Sequence, residues 1–90
     1  MKDSLYIKTQ LDNELSTLYT VSEEGKKVHM ARINLLTWIY NFGELRTEKE
    51  LRTKLRNVEE ELLALNFQAN PDITTTKTIK ERLNILNDII

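Results

Sequence analysis

Apolar residues along this chain recur at intervals of three and four, the spacing of helices that bury one face. The first such segment runs from about Ser4 to Tyr19, with Ile7, Leu11, Leu15 and Leu18 on one stripe and Asp3 or Ser4 as its N-cap. Thr20-Val21-Ser22-Glu23 has the Ser/Thr-x-x-Glu form of a capping box and predicts a second helix starting there or at Ser22. Its stripe is Val28, Ala31, Leu35, Trp38 and Phe42. Ile33, Leu36, Ile39 and Tyr40 widen the apolar surface, as expected of a helix central to a bundle. Asn41-Phe42-Gly43 supplies a stop, with Gly43 at the left-handed position after the helix.

Thr47-Glu48-Lys49-Glu50 is a second capping box, and Leu51, Leu55, Val58, Leu62, Leu65 and Ala69 follow it as a heptad-like seam. Asn70-Pro71 should end that helix, because proline lacks the amide donor and restricts the residue before it. Asp72 through Thr76 form a polar loop rich in candidate caps. The last segment carries Ile79, Leu83, Leu86 and Ile90 on one face, with Ile85 and Ile89 to one side. The pattern therefore predicts an all-α fold: a single domain over residues 1–90, a small antiparallel bundle of three to four helices with the second and third segments as a long central hairpin. With only two Gly and one Pro, the chain lacks the turn chemistry an all-β fold requires.

Composition narrows the classes of function. A chain of 90 residues buries only about 60–65% of its unfolded surface, so its core is thin unless it self-associates. The absence of Cys removes disulfides, Cys-ligated zinc and thiol redox chemistry. Basic residues number 13 against 14 acidic, a net charge of −1, whereas proteins that coat nucleic acid carry a basic excess. No stretch approaches the ~18 apolar residues of a membrane span, and the expected location is the cytoplasm.

Few residues suggest chemistry. Glu59-Glu60-Glu61 point about 100° apart on a helix and cannot converge on one atom, so they are expected on a solvated face. His29, the one histidine, has neither grouped ligands for a metal nor an evident nucleophile or orienting acid, and is expected to be a boundary residue. The sequence thus predicts no catalytic residue, no cofactor, no metal and no small-molecule substrate. Trp38 and Phe42 are expected in the core, and Tyr40 in contact with a partner.

The most informative surface is a strip on the third segment. Arg46, Lys49, Arg52 and Arg56 recur at helical spacing, and Leu63 and Phe67 continue the same face. Mixed arginine and apolar character is what interface hot spots favour. Together with Tyr40 and the isoleucine-rich chain end, Ile89 in particular, this strip is the expected partner-binding surface. The function it suggests is a non-enzymatic protein–protein interaction module: an adaptor, inhibitor or small regulator of the kind phage and other mobile elements encode. Its partner would be another protein, with Ile85, Ile89 and Ile90 also suited to a homodimer. Residues 33–45 resemble the first helix of a winged-helix domain running into a short strand, and residues 74–86 its recognition helix. That resemblance implies the alternative, a DNA-binding transcriptional regulator. The outward positions of the last segment, Lys77, Glu81, Asn84 and Asp88, are not basic, and the chain stops where a wing would begin.

Overall fold

The computed structural model describes residues 1–41 and 43–90. Expectations placed on Phe42 lie outside the described residues. The elements follow in the order α1 (Ser4–Thr17), a short 3-10 turn (Leu18–Thr20), α2 (Glu23–Ile39), β1 (Tyr40–Asn41), β2 (Glu44–Leu45), α3 (Glu48–Asn66) and α4 (Ile73–Ile89). The molecule is mostly helical, and the two short strands are a departure from a purely helical chain.

Every α-helix begins on a side-chain cap that the sequence supplies. Asp3 accepts from the Tyr6 amide, Ser22 from Gly25, Thr47 from Glu50 and Asp72 from Thr75, each satisfying an otherwise orphaned backbone donor. At Thr47 the capping box is complete, because the Glu50 carboxylate also returns to the Thr47 amide. The hydrogen bond from Arg46, then those from the Thr47 amide and hydroxyl, hold the Glu50 carboxyl below its usual range. Hydrogen bonds from the Thr75 hydroxyl and amide do the same for Asp72.

The end of α2 differs from the expected glycine stop. The helix ends at Ile39, and Tyr40 turns extended, with φ −123° and ψ 95°. Tyr40 then pairs with Leu45, and Asn41 with Glu44, in an antiparallel hairpin. Gly43 does adopt the left-handed backbone, at φ 83°, but it serves this hairpin turn rather than the helix terminus. The last carbonyls of α2 are taken by Arg46, whose amide donates to Ile39 O and whose Nε donates to Trp38 O, both at 2.8 Å.

Helix α2 packs against α1 and α4, and α4 also packs against α3. α2 and α4 run in the same direction: Val28 and Lys77 line one crevice near their starts, and Arg32 meets Glu81 further along. α1 runs against both, since Glu14 near its end meets His29 near the start of α2. Its first residues reach the end of α4, where the Lys2 amide donates to Ile89 O at 2.8 Å. The result is a flattened body of 41 × 33 × 18 Å with α1 and α3 on its flanks.

The core joins Ile7 of α1, Leu35, Leu36 and Ile39 of α2, Leu51, Val58 and Leu65 of α3, and Ile79, Ile85, Leu86 and Ile89 of α4. On α2 the buried set is Ile33, Leu35, Leu36 and Ile39 rather than the expected Val28–Trp38 stripe, because this helix has a neighbour on two sides. α3 ends at Asn66 instead of Asn70. Its apolar seam is spent at Leu65, and Ala69, with one methyl, offers little to hold a further turn against α4. Among the described residues, no helix is long and apolar enough to cross a membrane.

Candidate functional site

The outer edge of α3 carries the strip expected from the sequence, and the structure divides it. Arg46 is mainly structural. Besides satisfying the end of α2, its guanidinium lies 4.5 Å from the centre of the Trp38 ring and pairs with Glu50 at 3.1 Å. Arg52 is exposed and pairs with Glu48 one turn before it, also at 3.1 Å. Lys49 and Arg56 are exposed and make no ion pair among the described residues.

Leu63 and Phe67 are 58% and 84% exposed. They lie on the opposite side of α3 from Leu51, Val58 and Leu65, so no helix of the fold covers them. Two of the expected contact residues are placed elsewhere. Ile89 is buried in the core at 2% exposure and is not available on the surface as the sequence suggested. Its neighbour Ile90 packs against the same core, because α4 buries both of its isoleucine-bearing sides between α2 and α3. Tyr40 is only half-buried, but it too packs against the core as the first residue of β1. Arg52, Arg56, Lys49, Leu63 and Phe67 thus remain on the outward side of α3 and its C-cap, with the exposed Glu59 and Glu60 between Arg56 and Leu63.

A second polar arrangement escaped the sequence. Glu14 is the buried carboxylate among the described residues, at 8% exposure, on an α1 face where Ile7 was expected to be joined by Leu15. Its Oε2 lies 2.7 Å from His29 Nδ1, and its Oε1 lies 2.7 Å from Arg32 Nη2. Arg32 in turn pairs with Glu81 of α4. The approach of His29 to Glu14 falls outside hydrogen-bond geometry, so it is a close polar contact rather than an aligned hydrogen bond. His29 is therefore more than a boundary residue: with Arg32 it ties α1 to α2, and Arg32 ties both to α4. No hydroxyl is hydrogen-bonded to His29 among the described residues, so the cluster offers no activated nucleophile. Nothing in the sequence signalled this cluster, because its members lie on separate helices and carry no spacing of their own.

At the other end of the molecule the Tyr6 hydroxyl donates to Asp88 Oδ2 at 2.5 Å, and this bond raises the Tyr6 pKa. No group of three His, Asp or Glu side chains suited to a metal ion occurs among the described residues. No protein-family model, no curated protein and no solved structure matches the chain.

Proposed function

We propose that this protein is a non-enzymatic protein–protein interaction module, a small adaptor, inhibitor or regulator, folded as one domain over residues 1–90. In this reading α2 and α3, joined through β1 and β2, stand on either side of α4, and α3 presents its outer ridge to another protein. The observation that carries it is the exposure of Phe67 and Leu63 on the same side of α3 as Lys49 and Arg56, which make no ion pair among the described residues. An aromatic ring left in water on an ordered helix costs the free protein hydration that a partner would relieve, at roughly 25 cal/mol per Å² of apolar area covered. Arginine next to such an anchor is the composition that interface hot spots favour.

The test is capture from a lysate of the source cell with nuclease present, using the wild-type chain and the Phe67→Ser and Arg52→Glu variants. A protein retained at stoichiometric amount by the wild type, and lost from both variants while their helical signal is unchanged, supports the reading. A Phe67→Ser variant that loses its helical signal would place that ring in the fold and contradict it.

One observation favours the DNA-binding alternative: α2 runs directly into strand β1, as the winged-helix resemblance implies. Against it, α4 is packed on both α2 and α3, and Glu81 and Asp88 on its remaining surface are engaged by Arg32 and Tyr6. Retention that disappears with nuclease and falls steeply with salt would reinstate it.

A further inference from the structure

α4 lies against both α2 and α3, and a cleft remains above it between those two helices. Thr78 and Arg82 of α4 line its floor, Ala31, Asn34 and Trp38 of α2 one wall, and Lys54 of α3 the other, around about 350 Å³. A second hollow of about 400 Å³ adjoins it along α3 and is bounded by Trp38, Lys49, Lys54 and Glu50, the last of these paired with Arg46. Trp38 and Lys54 therefore stand where the two hollows meet, with the Lys54 ammonium 5.5 Å from the ring centre.

The charge of these walls differs from that of the whole chain. Arg46 and Arg82 are neutralised by Glu50 and Glu61, at 3.1 and 2.9 Å. Lys49 and Lys54 make no ion pair among the described residues, so a protein of net charge −1 keeps two uncompensated ammonium groups around its one tryptophan. We infer that this cleft binds an acidic peptide segment of a partner protein, with carboxylates at Lys49 and Lys54 and an apolar side chain against Trp38. Two ammonium groups match two carboxylates. A nucleic-acid strand brings a phosphate with every nucleotide, more charge than two ammonium groups neutralise. The size of each hollow suits one or two side chains and lies within the range of ligand clefts.

Lys49 borders both this cleft and the outer edge of α3, so Trp38 and Lys54 are the residues that test the cleft separately from Leu63 and Phe67. The full chain, labelled with ¹⁵N, is titrated with a blocked peptide of four glutamates around a central leucine, following the single indole N–H resonance of Trp38. The expected result is a saturable shift that the glutamine counterpart of the peptide does not produce. Lys54→Glu weakens binding at least about tenfold, as reversal of a contacting charge does. Lys49→Glu, at an exposed position that cannot disturb the core, weakens it in the same direction. Phe67→Ser leaves the titration unchanged. Absence of a saturable shift at millimolar peptide, equal shifts from the glutamine peptide, or indifference to both lysine reversals would overturn the inference. An oligothymidylate that moves the Trp38 resonance at lower concentration than the acidic peptide would assign the cleft to nucleic acid instead.

Discussion

Helices α1 and α3 flank the same α2–α4 pair, yet they are held to it by opposite means. α3 offers Leu51, Val58 and Leu65, all buried, at positions that repeat by seven. α1 offers one fully buried isoleucine, Ile7, and a buried carboxylate, Glu14. The apolar seam stabilises wherever it finds another apolar surface, so it fixes attachment without fixing a unique partner position. A carboxylate is different. It tolerates burial only where a cation or polar partner waits for it, so Glu14 sets the height of α1 against Arg32, with His29 beside it. The two helices are alike in what they leave outside: Leu63 and Phe67 stand in water at α3, and Leu5 and Leu15 at α1.

The comparison breaks most sharply in the α3 seam. Leu51→Ala removes a fully buried side chain and is expected to cost about 2–5 kcal/mol, measured by urea unfolding. Glu14→Ala should cost less, roughly 1–3 kcal/mol, because His29, Arg32 and Glu81 are partly solvated and Arg32 keeps Glu81. Replacing Glu14 and His29 together by leucine should recover most of that loss. If it does not, the ion contacts stabilise the fold beyond positioning α1. Arg46→Ala, which strips the cap of α2 and the contact with Trp38, is expected to cost about 1–2 kcal/mol.

Much of α3, the Thr47 capping box, the Ser22 cap and the start of α1 at its Asp3 cap were legible in the sequence. The Thr20–Glu23 capping box is not formed, and the burial of Glu14 on α1 was not foreseen. The heptad from Leu51 to Leu65 needs no knowledge of its neighbour, because any apolar surface satisfies it. Ser22, Thr47 and Asp72 act on amides three residues away, so their role is local and readable. Glu14 depends on side chains that reach it only after the chain has reversed. Periodicity missed the Tyr40–Leu45 hairpin, because strands of two residues carry none; only the winged-helix resemblance implied a short strand there, and Gly43 announced a left-handed position. Ile89 was misplaced because its exposure depends on how far α4 is wedged between α2 and α3, which one helix's own pattern does not state. On the ridge, the outward position of Leu63 and Phe67 followed from the α3 seam, whereas the use of Arg46 as a cap required the hairpin that brings it back to Trp38.

Acid sharpens the difference between the helix starts. The pKa values of Glu50 and Asp72 are lowered in the folded chain, so their stabilisation is fully present above the unfolded carboxylate values near pH 4. It is lost as the pH falls through the lower folded values. The first turns of α3 and α4 should therefore loosen together below about pH 4, seen as faster amide exchange at Glu50 and Thr75. Glu50→Gln should remove that response from α3 alone and leave α4 unaffected. The smallest stability effect belongs to the ridge, where Phe67→Ser is expected to stay within about 0.5 kcal/mol of the wild type.

The account rests on the claim that the outer ridge of α3 serves a partner rather than the fold. The direct measurement is retention of the captured protein by the Leu63→Ser/Phe67→Ser double variant, normalised to its folded fraction from urea unfolding. The account predicts an unfolding free energy within about 1 kcal/mol of the wild type and retention reduced at least about tenfold. A double variant that unfolds readily, or one that folds normally and retains the partner as well as the wild type, would contradict it.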